Sequence, residues 1–83
     1  MDMNISRLPL HMIELLELYA EEHEPVNDEF LEALLCNNLR GACQEADDQN
    51  IELIPVYVAY LHNNVPSVCW GSVDRYRAWL EEV

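Results

Sequence analysis

The sequence predicts a small all-α domain, with four helices packed around a central second helix. Three observations support this fold class. Apolar residues recur at helical spacing, proline and polar turns divide the chain into four such segments, and 83 residues suffice for one domain only. Because 51% of the residues are hydrophobic, there is enough apolar material for a core. We therefore expect residues 1–83 to form a single domain.

The first predicted helix runs from Pro9 to Glu22, after a loose lead-in over residues 1–7. Proline suits the first turn of a helix, because the amide hydrogen that it lacks would have no partner there. At 100° per residue, the apolar and acidic residues of this segment fall on opposite sides. Leu10 and Leu18 depart from the pattern, since both fall on or beside the acidic side.

The second predicted helix extends from Asn27, a favourable N-cap, to Gln49. Its apolar residues cover more than half of the circumference, which indicates a helix covered on several sides. The expected centre of the core is a group of four leucines: Leu31, Leu34, Leu35 and Leu39. Asn38 falls within the apolar arc, where its amide would need hydrogen-bond partners. Either a close helix crossing or a break in the helix would explain Gly41.

The third predicted helix covers residues 54–63, and the alternative is an α+β fold with a short strand or hairpin within residues 51–61. Alternating β-branched residues favour a strand. Pro55 disfavours a central strand and favours a helix that begins near it. Farther along, Trp70 is expected to fill a gap in the core, and Ser72 to cap the last helix.

The charge of the chain restricts its partners. Sixteen acidic residues, four arginines and no lysine give a net charge of −12. Affinity for nucleic acid comes largely from lysine and arginine contacts with phosphate, so we expect no direct binding to DNA or RNA. Nothing approaches the ~20-residue apolar run of a membrane span, and no signal peptide is visible. We expect a cytoplasmic protein without a membrane partner.

The sequence contains no recognisable catalytic or metal-binding motif, so we expect neither an enzyme nor a cofactor or metal site. No serine or cysteine lies in a nucleophile motif, and the cysteines lack the close pairing of a zinc site. Cys36, Cys43 and Cys69 are expected to be reduced thiols that act as small core residues. His23 is expected to be a packed or helix-terminal residue.

A row of glutamates on the first helix is the candidate binding site. The spacings of three, four and three residues place neighbours about 5–6 Å apart along the helix axis. This charge density is comparable to that of a nucleic-acid strand, which carries one charge per ~3.4 Å. Two leucines beside the row would supply apolar anchors. The candidate partner-binding residues are Glu14, Glu17, Glu21, Glu24, Leu10 and Leu18.

In size, charge and lack of catalytic motifs, the chain resembles small acidic proteins of bacteriophages and mobile elements, namely DNA mimics, anti-restriction and anti-CRISPR proteins, and antirepressors. The resemblance rests on no diagnostic motif and implies no site residues. It implies a non-enzymatic inhibitor that occupies the basic surface of a nucleic-acid-binding protein. The alternative is a helical assembly module that acts as a homodimeric scaffold. Leu10, Met12, Leu18 and the uncharged stretch 53–73 would then supply the apolar interface.

Overall fold

The computed structural model describes residues 5–82, and every regular element in that range is helical. The α-helices are α1 (Leu10–Glu22), α2 (Glu29–Leu35), α3 (Leu39–Glu45), α4 (Asp48–Asn64) and α5 (Val73–Glu81). Short 3-10 turns precede α1 (Ile5–Arg7) and α5 (Ser67–Cys69). The all-α prediction is confirmed. The α+β alternative is not supported, because residues 51–61 lie wholly within α4.

The first helix ends at Glu22 as predicted and begins at Leu10, one residue later than predicted. Pro9 is its N-cap, and it ends where His23 adopts a left-handed backbone with a φ of 57°. Met12 is only 3% exposed, so it cannot contribute the interface surface that the sequence suggested. Of the predicted lead-in, residues 1–4 lie outside the described residues, whereas residues 5–7 form a 3-10 turn that contacts α4.

The prediction of one continuous helix from Asn27 to Gln49 is wrong, because the chain breaks between α2 and α3. Asn37 adopts a left-handed φ of 59°, which interrupts the helical backbone. Asn38 then caps α3, since its Oδ1 accepts a hydrogen bond from the Gly41 amide at 3.0 Å. A Cβ at Gly41 would lie 2.5 Å from Asn38 Nδ2. The break in the helix therefore explains both the asparagine at position 38 and the glycine at position 41.

The first half of the predicted second helix, α2, keeps the central position in the core. Its buried residues are Phe30, Leu31, Ala33, Leu34 and Leu35. Asp28, rather than Asn27, caps it by accepting a hydrogen bond from the Leu31 amide at 2.9 Å. Leu39 was expected at the centre but is 67% exposed, because the break removes α3 from the periodicity of α2.

The helix α4 is longer than predicted. Its N-cap is Asp47, whose Oδ1 accepts a hydrogen bond from the Asn50 amide at 2.7 Å. Pro55 therefore lies inside the helix instead of at its start. Proline removes one helical hydrogen bond, and its ring lies on the exposed side. The buried residues of α4 are Leu53, Val56, Tyr57, Ala59, Tyr60 and Leu61.

Reciprocal contacts join α5 to the end of α1. His23 Nδ1 donates a hydrogen bond to the Trp79 carbonyl at 2.7 Å, and the imidazole stacks on the indole with ring centroids 4.1 Å apart. Trp79 Nε1 donates to the Tyr19 carbonyl at 2.8 Å. His23 is thus the packed helix-terminal residue that was predicted. The cap at Ser72 is also confirmed, since its Oγ accepts from the Arg75 amide at 3.1 Å.

Candidate protein-binding surfaces

The outer side of α1 brings together five of the six predicted partner-binding residues. At 3.6 residues per turn these five fall within an arc of roughly 100°, and we call this surface the acidic α1 face. The carboxylates are exposed, and the leucines are 70% and 45% exposed at positions 10 and 18. The acidic α1 face consists of Leu10, Glu14, Glu17, Leu18 and Glu21.

Glu24 does not continue the row of glutamates. The helix ends at Glu22, and the left-handed backbone of His23 turns the chain into the connector before α2. Glu24 is exposed in that connector. The spacing argument assumed helix as far as residue 24, so the row has three members instead of four.

The acidic α1 face borders a cleft of about 460 Å³ between α1 and α4. Glu17 and Glu21 line this cleft together with Tyr60 of α4. Burial raises the pKa of Tyr60, and the negative charges of these two carboxylates raise it further. Because Tyr60 lines the cleft together with both glutamates, it marks the side of α4 that faces α1.

A second group of carboxylates surrounds a cleft of about 470 Å³ between α2, α3 and α5. Glu29, Glu32 and Glu45 line it, and so does Arg77. The protonated Glu45 carboxyl can donate a hydrogen bond to Glu29, which raises the pKa of Glu45, and the negative charge of Glu29 adds to the rise. No periodicity could have indicated this contact, because its two members lie on opposite sides of the break between α2 and α3. Since the cleft mixes both signs of charge, it matches a basic partner less well than the acidic α1 face does.

A third surface, on α4, is free of formal charge. The sequence has no charged residue between Glu52 and Asp74. Five residues of α4 recur at helical spacing on one side, and the structure places a leucine of α3 and a tryptophan beside them around a pocket of about 90 Å³. We call this surface the uncharged α4 face. It consists of Leu39, Ile51, Ile54, Pro55, Val58, His62 and Trp70.

The sulfur chemistry is that of free thiols. Cys36, Cys43 and Cys69 are all unpaired with one another. Cys69 is buried as predicted, with its Sγ 3.1 Å from the Pro66 carbonyl oxygen, and burial raises its pKa. Cys43 is exposed, so its prediction as a core residue is wrong, and the break before α3 is the reason. Across residues 5–82, no three His, Cys, Asp or Glu side chains form a group that could hold a metal ion.

Two further observations concern membrane insertion and similarity to known proteins. None of the helices in residues 5–82 has the length and apolar character needed to cross a bilayer. No protein-family model matches the chain, and neither a curated protein nor a solved structure matches it. A functional proposal therefore rests on the geometry and charge of the three surfaces.

Proposed function

We propose that this protein is a non-enzymatic inhibitor that occupies the basic surface of a nucleic-acid-binding protein. The acidic α1 face carries the proposal: three glutamates and two exposed leucines share one side of one helix, in a chain of net charge −12 without lysine. The kinds of inhibitor that fit are DNA mimics, antirepressors and anti-defence proteins such as those of phages and mobile elements. Inhibition requires binding alone, without turnover of a substrate.

Charge and apolar contact have separate roles in this proposal. The carboxylates attract a basic groove over a distance and speed encounter. The leucines act after contact, because burying an exposed leucine side chain contributes up to about 1.5–3 kcal/mol. Leu10 and Leu18 are eight residues apart, which is about 12 Å along the helix. They lie on either side of Glu14 and Glu17, with Glu21 one turn beyond Leu18, and would fix the register of α1 in the groove.

We place this activity in the cytoplasm, where nucleic-acid-binding targets of this kind act. The free thiols of the chain support that setting, because disulfides are rare in reducing compartments. The proposal does not include binding of this protein itself to DNA or RNA, since arginine and lysine contacts with phosphate dominate such binding.

The test begins with capture of partners from the native host at low and high salt, read by mass spectrometry. The captured protein is then titrated with wild type and with a variant that combines Glu14→Lys, Glu17→Lys and Glu21→Lys. We expect affinity to fall at least 100-fold, with an unchanged helical circular dichroism spectrum. The matched control combines Glu52→Lys, Glu81→Lys and Glu82→Lys. Both variants change the net charge from −12 to −6, because each substitution adds two charges.

The control variant distinguishes an effect of the acidic α1 face from an effect of net charge. We expect it to slow association while it retains most of the affinity. If both variants lose affinity equally, the total charge governs binding and the α1 face has no special role. If the α1 variant binds as wild type does, its glutamates are ordinary solvated surface. The scaffold alternative would then take precedence, and the observation that favours it is the uncharged α4 face.

A further inference from the structure

We propose that the uncharged α4 face is the docking surface for a second copy of this chain. The occupant follows from charge. Two copies that each carry −12 repel each other wherever carboxylates meet. Over the uncharged α4 face, two copies related by a twofold axis can approach with carboxylates only at the edge of the contact, where Asp48 and Glu52 lie. A basic partner would gain no attraction from this surface, whereas a second copy meets less repulsion here than over its acidic surfaces.

The position of this surface on α4 separates it from the acidic α1 face. Tyr60 marks the side of α4 that faces α1, since it lines the cleft between the two helices together with Glu17 and Glu21. Ile51 precedes Tyr60 by nine residues, which is two and a half helical turns at 3.6 residues per turn. The two residues therefore lie on opposite sides of α4. Docking through the uncharged α4 face would leave both α1 faces of the dimer exposed and pointing outward.

The apolar content of the surface suits a symmetric contact. Leu39 is 67% exposed and Ile51 44% exposed. Leu39 stands at the rim of the pocket lined by Ile54, Val58 and Trp70. In a twofold interface, a contact between residue i of one copy and residue j of the other is repeated in reverse. Leu39 of each copy can therefore cover the pocket of the other.

The required area is compatible with one face of the molecule. A standard dimer removes about 800 Å² of surface from each partner, which is roughly 15% of the 5290 Å² that this chain exposes. The molecule measures 34 × 23 × 21 Å along its principal axes. Asp48 lies one turn before Ile51 and marks the acidic edge of the surface. The leucines of α1 are less suitable for self-association, because Glu14, Glu17 and Glu21 surround them.

Sedimentation equilibrium of the wild-type chain over about 1–500 μM, at about 50 mM and 500 mM NaCl, tests the proposal. We expect a monomer–dimer equilibrium whose dissociation constant falls severalfold at the higher salt, because screening reduces the repulsion between the acidic copies. A chain that stays monomeric at both salt concentrations overturns the proposal. So does a dimer that weakens as salt rises.

Substitutions locate the interface. Leu39→Asp and Ile51→Asp, each at an exposed position, should weaken the dimer at least tenfold while the helical spectrum is retained. Leu10→Asp is the matched control, since Leu10 is 70% exposed on the acidic α1 face, and it should change the dissociation constant less than twofold. Stronger dissociation by the control than by the α4 variants overturns the assignment.

Leu39→Lys tests whether Leu39→Asp weakens the dimer through desolvation or through the added negative charge. It reduces the magnitude of the net charge from 12 to 11, which by itself favours self-association. A lysine buried in the interface costs desolvation energy all the same. We therefore expect Leu39→Lys to weaken the dimer as Leu39→Asp does. A tighter dimer with lysine would show that Leu39 lies outside the interface and overturn the proposal.

Discussion

The acidic α1 face and the uncharged α4 face both expose large apolar residues, but their surroundings differ. Leu10 and Leu18 are set among three glutamates, whereas Leu39 and Ile51 belong to a set of uncharged side chains that has Arg40, Asp48 and Glu52 only beside it. Apolar exposure alone would make these surfaces equivalent. The neighbouring charge separates them, because it determines which partner can approach. A basic groove suits the first surface, and a second acidic copy suits the other.

The largest effects should come from reversing the charge of the acidic α1 face and from introducing charge on the uncharged α4 face. The triple reversal Glu14→Lys, Glu17→Lys and Glu21→Lys should reduce partner affinity at least 100-fold and leave the dimer intact or tighter. The double variant Leu39→Asp and Ile51→Asp should abolish the dimer and retain one-to-one partner binding. Calorimetry with the captured partner and sedimentation on the same preparations measure both effects. Loss of both activities in either variant would mean that the surfaces are not independent.

Salt should act on the two surfaces in opposite directions. Between about 50 and 500 mM NaCl, we expect partner affinity to fall at least tenfold, because the attraction between opposite charges is screened. Over the same range, dimer affinity should rise severalfold. Parallel titrations at four or five salt concentrations provide the slopes of partner affinity and of dimer affinity against salt concentration. Slopes of the same sign would contradict the distinction between the surfaces.

The apolar anchors should control how long each complex lasts. Leu18→Ala should raise the dissociation rate from the partner about 5–10-fold, since it removes part of a buried leucine contact. Its effect on the association rate should be small. Ile51→Ala is the counterpart on the uncharged α4 face and should weaken the dimer without changing the partner dissociation rate. Surface plasmon resonance resolves both rates, and an effect confined to association would rule out an anchoring role for Leu18.

A pH experiment tests where α1 lies relative to α4. Burial, followed by the charges of Glu17 and Glu21, raises the pKa of Tyr60. The triple reversal replaces both carboxylates by cations and should lower that pKa in an ultraviolet tyrosine titration. Tyr57 is the internal control: burial and the charges of Asp28 and Asp47 raise its pKa to about 12, and the reversal leaves both aspartates in place.

The raised pKa of Tyr60 also affects the stability of the fold at alkaline pH. A tyrosine whose pKa is higher in the folded state contributes stability that is complete below the unfolded value of about 10 and is lost as pH rises through the folded value. Because the triple reversal lowers the folded pKa of Tyr60, less stability remains to be lost in alkali. Urea unfolding at about pH 8 and pH 11 should show a smaller decline in the variant. An equal decline would mean that Glu17 and Glu21 do not act on Tyr60.

The smallest expected effect concerns the start of α3, which positions Leu39 on the uncharged α4 face. Alanine gains up to about 1 kcal/mol over glycine in a helix. In Gly41→Ala, however, the new Cβ displaces the Asn38 cap, whose loss costs about 1 kcal/mol. We expect a net change below ~0.5 kcal/mol. In an Asn38→Ala background the same substitution should stabilise by about 1 kcal/mol, and an equal effect in both backgrounds would exclude the steric conflict.

The sequence predicted the helical class because its periodicity and caps agree over most of the chain. Pro9 and Ser72 lie at the predicted helix starts. The errors occur where the effect of one residue on the backbone differs from what the pattern suggests. The left-handed Asn37 splits an apolar arc that still looks continuous. Pro55 was taken for a helix start, yet α4 accommodates it on the exposed side.

The candidate surfaces were predictable to different degrees. The acidic α1 face lies within one helix, so local spacing was sufficient to find it, except at Glu24, which follows the turn at His23. The uncharged α4 face combines α4 with Leu39 and Trp70. Its apolar residues were visible in the sequence, but their association depends on the break before α3. Contacts between helices of that kind have no local periodicity.

The contacts between α1 and α5 have a consequence for local opening of the molecule. His23 and Trp79 are separated by 56 residues, and Tyr19 and Trp79 by 60. Tyr76 is the one buried residue of α5 within residues 5–82, and Trp79 and Leu80 are only partly buried, so few apolar contacts retain this helix when those hydrogen bonds break. Elements of low local stability exchange their amide hydrogens first. We infer that α5 undocks before the remaining helices unfold. The undocking would uncover the side of Tyr19, whereas the opposite side of α1, with its glutamates, would keep its shape throughout.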